Sequence, residues 1–299
     1  MRKSISLITA LVLLLALCSC ANTAAEKAES TAEAPESVSA LPSGKVFIDT
    51  PDFYLELLDC REEPVNNEYV LEFLAENRCS KAVEFGSEYA AVNGYVMDSY
   101  MYNVMAPGRR SISYLEILSE DINLLDAGSV DEVSFLFYAD TTEEGCVTGT
   151  VFRDVINVYP GGKSPDEIST KKLSDFPYSE FAYGNSWVDL IVVDAKMIEN
   201  SPFYAVTCVI SNKSGEDLTL SLSDAEVDSV KTEPYWLCRI PAGTNCISDI
   251  FFDSDALSET GWLEPDLIAF NLEVYRGLTY DPQGNPASSC RLSFTPARG

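Results

Sequence analysis

From residue 45 onward the chain is written in short runs that alternate apolar and polar residues. Over 69–76, Tyr69, Leu71, Phe73 and Ala75 fall on one face while Glu72 and Glu76 fall on the other. Tyr204, Val206, Cys208 and Ile210 repeat that apolar face later in the chain. Val133, Phe135 and Phe137, with Ser134 and Leu136 between them, are matched by Ile268, Phe270 and Leu272. A period of two marks strands with one face in a core. The turns "APGRR" and "PAGTN" put Gly108 and Gly243 between strands, where glycine takes positive φ at little cost. Ser119 and Ser254 each precede a short stretch, "EDINLL" and "DALSE", expected as one helical turn with serine as N-cap. A last strand is expected near 151–159 and again near 290–294. Short strands at this spacing predict an all-β antiparallel sandwich.

The pattern occurs twice. "YVLEFLAENRCSKAVEFGSEYAAVNG" (69–94) and "YAVTCVISNKSGEDLTLSLSDAEVDS" (204–229) align without a gap at an offset of 135. The same offset carries Leu55 onto Leu190, Asp59 onto Asp194, Asn77 onto Asn212 and Val92 onto Val227. It also carries Tyr100 onto Tyr235, Ser113 onto Ser248 and Asp131 onto Asp266. One register held this long predicts a tandem duplication. The expected division is a first sandwich over 45–160, a linker over 161–180 and a second sandwich over 181–299. Phe176, Tyr178, Phe181 and Tyr183 are too aromatic for a free linker and are expected to pack onto the second sandwich; a ligand-gripping strip is the sharper alternative.

The order of these pieces resembles the Ig-like sandwich modules of Gram-positive surface lipoproteins, of the telokin-like antigen type. An early strand is followed by a strand running into an Asn-containing turn (Asn77, Asn212), then "AAVNGY", the Ala-Pro-Gly turn and a late "VSFLFYAD" strand. The second copy departs by having Asp228-Ser229 where the first has Asn93-Gly94. The resemblance implies two tandem Ig-like β-sandwich domains and brings no catalytic residues with it.

Ahead of the sandwiches, Arg2 and Lys3 precede an apolar segment from Ile5 to Cys18, too short to span a bilayer and laid out as a signal peptide over 1–19. Leu17-Cys18-Ser19-Cys20 resembles a bacterial lipobox, which implies cleavage before Cys20 and a diacylglycerol thioether on its sulfur. Two acyl chains on one residue anchor stably where one chain does not. The alternative is a leader cut near Ala21 or Ala24 and a secreted chain. Residues 20–44 are mostly Ala, Glu, Ser, Thr and Pro and are expected to form a disordered tether. The expected place is therefore the outer face of the cell membrane, with the lipid as the chain's contact with it.

Charge and chemistry narrow the function. The chain has 47 acidic and 20 basic residues, for a net charge of −27, and both copies share the excess. Phosphate backbones need the opposite sign, so nucleic acid is excluded as a partner. The acidic loops "DTTEEG" (140–145) and "DSDALSE" (253–259) lack EF-hand spacing, so calcium is not expected. There is no histidine, which removes histidine bases, triads and histidine-bound metals. No catalytic residue, metal site or cofactor is expected.

Seven cysteines lie in the sandwiches: Cys60, Cys79, Cys146, Cys208, Cys238, Cys246 and Cys290. None in one copy aligns with one in the other, and no CxxC occurs. Cys238 and Cys246, flanking the "RIPAGTN" turn, are the one candidate pair. The expectation is a non-catalytic binding or interaction protein whose ligand, protein or glycan, is unspecified. An envelope spacer and a carboxylate-based hydrolase are the alternatives. Trp187, Trp236 and Trp262, all in the second copy, are the aromatics to examine for ligand contact.

Overall fold

The alternating runs form strands, because a segment with one apolar face buries it best in a pleated sheet against a second sheet. The computed structural model describes residues 44–126, 129–176, 182–198, 201, 203–234, 236–253, 265–281 and 284–296. The leader, Cys20 and the tether up to residue 43 lie outside the described residues, as do Tyr178, Phe181, Tyr235, Ser254 with its expected helical turn, and Trp262. The first half contains β1 (Lys45–Asp49), β2 (Phe53–Glu63), β3 (Glu68–Asn77), β4 (Ala82–Val92), β5 (Tyr95–Met97), β6 (Ser99–Tyr100), β7 (Tyr102–Met105), β8 (Arg110–Leu118), β9 (Val133–Glu143) and β10 (Cys146–Val158). A single α-helical turn, α1 (Ser119–Leu124), separates β8 from β9. The second half contains β11 (Ala182–Gly184), β12 (Val188–Met197), β13 (Phe203–Asn212), β14 (Leu218–Val227), β15 (Val230–Lys231), β16 (Leu237–Ile240), β17 (Asn245–Asp253), β18 (Ile268–Arg276) and β19 (Ser288–Phe294). The fold is all-β.

Three sheets result. One runs β1-β2-β3-β8-β6; a nine-stranded sheet runs β10-β9-β4-β5-β17-β13-β12-β11 with β7 on β4; the last runs β15-β14-β18-β19 with β16 on β14. The first apolar cluster joins Leu55, Leu71, Phe73 and Leu115 to Phe85, Val133, Phe135 and Phe137 of the nine-stranded sheet. Phe73 meets Phe135 edge-on at 5.7 Å, and Phe53 meets Phe85 at 5.3 Å. Each such ring taken wholly out of water contributes roughly 1.5–3 kcal/mol. The second cluster joins Leu190, Val206, Cys208 and Phe252 to Leu220, Phe270, Leu272 and Leu292 of the third sheet.

The strands of the two halves keep the offset of 135. Glu68–Asn77 corresponds to Phe203–Asn212, Tyr102–Met105 to Leu237–Ile240, and Arg110–Leu118 to Asn245–Asp253. Local devices recur with them. Asn77, fully buried, donates to the carbonyls of Lys81 and Met105, both at 2.9 Å, and accepts from the Cys79 N–H at 2.8 Å. Asn212 donates to Glu216 O at 2.8 Å and Ile240 O at 3.1 Å, and accepts from the Ser214 N–H at 2.9 Å. A β-bulge falls at Leu57/Asp59 and at Val192/Asp194, and in each the aspartate accepts the next residue's N–H at 2.9 Å. The substitution of Asp228-Ser229 for Asn93-Gly94 leaves the turn unchanged. Ser229 takes φ 71° where Gly94 has 85°, a conformation in which only glycine is free of Cβ crowding. Asp228 Oδ1 accepts from Asp266 and Leu267 N–H just as Asn93 Oδ1 accepts from Asp131 and Glu132.

Three expectations change. Ser119 does not cap α1: it is the first helical residue, Leu118 occupies the cap position, and no side-chain cap bond forms. Phe176 packs in the first apolar cluster rather than the second, and that cluster also takes in Ile191, Val209 and Ile247 of the second half. The Phe176 ring is buried there 5.6 Å from Tyr95, whose hydroxyl donates to Lys171 O at 2.6 Å. The preceding segment is held there too, by Lys163 on Asp131 at 2.7 Å and by Lys171 Nζ on Leu124 O at 3.0 Å. Tyr183, in contrast, packs against the second cluster.

Nor is β13 one-faced. Every residue from Tyr204 to Ile210 is buried, since the nine-stranded sheet is covered on both sides there. Val209, Ile191 and Ile247 belong to the first cluster, and Ala91 and Val96 belong to the second. β5 and β17 complete the seam as a parallel pair, Tyr95 opposite Asn245 and Val96 opposite Cys246.

Candidate functional site

Where the halves meet, α1, β12, β13 and β17 enclose a cavity of about 460 Å³ lined by Glu120, Asp121, Leu124, Asp194, Lys196, Met197, Ile198, Ala205, Thr207 and Asp249. That is within the size range of small-molecule sites, and its walls mix apolar surface with a few polar groups. Each polar group has a local cause. α1 leaves β8 at the edge of the first half and carries Asp121 inward and Glu120 outward. The bulge at Val192/Asp194 turns Asp194 toward Lys196, whose ammonium lies 2.7 Å from Oδ2. Alternation on β13 and β17 brings Thr207 opposite Asp249.

The electrostatics are those of crowded acids out of water. Asp121 is 6 % exposed, and burial, reinforced by Asp249, Asp98 and Glu120, pushes its carboxyl up to about 8; an acceptor bond from the Asp98 N–H offsets part of this. Asp249 is also raised, chiefly by burial, while a bond from Thr207 and the charge of Lys196 pull the other way. Its Oδ1 is enclosed and has no hydrogen-bond partner. Lys196 is raised by its bond to Asp194. The cleft therefore sets a carboxyl held well above the ordinary range beside a lysine paired with Asp194.

The sequence marks none of these acids as a site. Asp194 stands out only as the partner of Asp59 at the offset of 135, and Asp121 and Asp249 align with Ala256 and Tyr114, so the repeat gives no mark of them. The tryptophans resolve differently. Trp236 is a core residue, with Nε1 donating to Ser248 at 2.9 Å. Trp187 is half-buried beneath the guanidinium of Arg276, 5.1 Å from the ring, and borders a shallower cleft of about 430 Å³ with Tyr275, Asp281 and Asn285. Of the acidic loops, 140–145 is the end of β9 and the turn into β10, with Glu144 and Gly145 both at positive φ. In the other, Asp253 ends β17 and the rest lies outside the described residues. Among the described residues no three acidic or thiol side chains converge closely enough to hold a metal ion, and no described helix is long and apolar enough to cross a membrane.

No family model and no curated protein matches the chain. Among solved structures it is similar to a protein of unknown function from Porphyromonas gingivalis W83, at 10 % identity and a TM-score of 0.21, over 76 % of this chain and 89 % of that one.

Proposed function

We propose that the chain is an exported, lipid-anchored binding protein without catalytic activity, its body two Ig-like β-sandwiches descended from one duplicated module, and that it takes its ligand in the seam cleft. The observation that carries the binding role is the cavity itself: it has the volume of a ligand site, and residues of both halves line it. Duplication is supported by the shared offset of strands, bulges and buried asparagines. Export and anchoring are supported by the leader and by Cys20. Four acidic side chains line the cleft with a single lysine, so it suits a ligand carrying a cationic group.

Calorimetric titration of the full-length protein in detergent, with spermidine and with a lysine-rich peptide as probes, tests this. Binding is expected to weaken about tenfold in the double variant Glu120→Gln/Asp194→Asn and to weaken as salt rises. Absence of binding by both probes would favour the spacer reading instead. A second reading, carboxylate-based hydrolysis, has one observation in its favour: a carboxylic acid that keeps its proton near neutrality in a cleft is suited to general-acid work. Turnover of glycans, peptides or esters that is lost in Asp121→Asn would establish it over simple binding.

A further inference from the structure

Cys238 on β16 and Cys246 on β17 are buried with their Sγ atoms 3.1 Å apart. β16 belongs to the third sheet and β17 to the nine-stranded sheet, so the contact joins the two layers of the second half. Only the turn Pro241–Thr244 and its flanks separate the two residues along the chain. Among the described residues this is the one pair of cysteines whose sulfurs lie within hydrogen-bonding distance of each other.

The first half supplies an independent check on the geometry. At the offset of 135, Cys238 corresponds to Asn103 and Cys246 to Ser111. Asn103 on β7 donates to Ser111 Oγ on β8 at 3.2 Å, and those strands too lie in different sheets. The fold thus brings this pair of positions together across the layers in both halves. One half fills them with a hydrogen bond and the other with two thiols.

We propose that Cys238 and Cys246 close into an inter-sheet disulfide when the chain folds under oxidising conditions, stapling the second half beside the seam. The setting rests on the exported location proposed above; the pairing does not. The step balances with a small-molecule disulfide such as oxidised glutathione as oxidant. One protein thiolate attacks it, forming a mixed disulfide and expelling one glutathione thiolate. The second protein thiolate then attacks the protein sulfur of that mixed disulfide and expels the other. Two protein S–H bonds become one S–S bond, and two electrons and two protons leave as two reduced glutathiones.

Timing follows from burial. Both cysteines border a cleft of only about 130 Å³, together with Val96 and Asp98 of the first half, and are otherwise buried. The side-chain contact with Cys238, and after it burial, hold the Cys246 thiol well up, which keeps its thiolate scarce in the folded chain. Closure accordingly belongs to folding, and the bridge should form slowly in protein already folded as the dithiol. Its neighbour across the seam is Val96, paired with Cys246, so the staple fixes the strand that holds the two halves together.

The test uses the full-length chain, unfolded and reduced, then refolded with a glutathione redox couple and alkylated. Trypsin cuts after Arg239, between the two cysteines, so a bridge makes two peptides travel together until reduction. The expected result is that linked pair, with Cys60, Cys79, Cys146, Cys208 and Cys290 alkylated, and a thermal transition that falls by about 5 °C on adding reductant. The double variant Cys238→Asn/Cys246→Ser, which copies the first half's pair, should fold and show no dependence on reductant. Refolded, cooperative protein with both cysteines alkylated, or with either joined to another cysteine, would overturn the proposal. The same map on protein taken from membranes distinguishes the two claims. A closed bridge there supports both; an open one, after closure on refolding, counts against the exported, oxidising location alone.

Discussion

Asn77→Ala should destabilise the protein by about 3 kcal/mol, the largest loss expected from a single polar side chain in this fold. Asn77 is fully buried at the end of β3, and its amide closes the start of β4 and the end of β7 onto it. Removal leaves two carbonyls and the Cys79 N–H without their partner, each unpaired buried group costing roughly 1–3 kcal/mol less whatever water recovers. Asn77→Asp separates hydrogen bonding from volume. It keeps the shape and the acceptor for Cys79 but sets a carboxylate oxygen against the carbonyls of Lys81 and Met105, so it should be at least as harmful at neutral pH. Acid should relieve it, because a protonated carboxyl can donate again. Urea midpoints of the two variants at pH 5 and pH 7 check both statements; an Asn77→Ala midpoint equal to the parent's would mean that the amide is not what holds this corner.

Asp121→Asn should do the reverse. Its carboxyl, at about 8, binds a proton in the folded chain that the unfolded chain gives up near 4. Between those values the folded state carries the extra proton, so stability is fully present below about pH 4 and drains away as pH rises toward 8, by about 1.4 kcal/mol per pH unit. Asparagine keeps the acceptor for the Asp98 N–H and has no charge to bury beside Asp249, Asp98 and Glu120. The variant should therefore equal the parent below about pH 4 and gain about 3 kcal/mol on it between pH 5 and pH 7. Parallel pH profiles for parent and variant would show that the acid is solvated and that the seam is not a closed cleft.

What the sequence made legible, it did through periodicity. Alternation at Tyr69–Ala75 and Val133–Phe137 placed core strands, and the repeat placed their partners, because a core face and a spacing are written directly in residue order. The seam was hidden for the converse reason. Tyr204–Ile210 is an almost unbroken apolar run, the mark of a strand covered on both faces, and alternation of its larger members masked that. That Phe176 joins the first cluster is not legible in sequence, because an aromatic residue signals burial without signalling against what. The cleft was least visible of all: Asp121, Asp194 and Asp249 come from three separate elements, and in a chain with 47 acids only the fold distinguishes them from the solvated majority. Cys238 and Cys246 were readable as neighbours from the turn between them, whereas the equivalence with Asn103 and Ser111 needed both halves in place.

Compartment, anchoring and the oxidising folding of the second half all depend on how the N-terminus is processed. The direct measurement is the mass of the N-terminal tryptic peptide of the protein recovered from the membrane fraction. The account predicts a peptide running from Cys20 to Lys27 with a diacylglycerol thioether on the cysteine sulfur, and its loss in Cys20→Ser together with release of the chain or its retention as uncleaved precursor. A mature chain beginning at Ala21 or Ala24, without lipid and found in the soluble fraction, would contradict it.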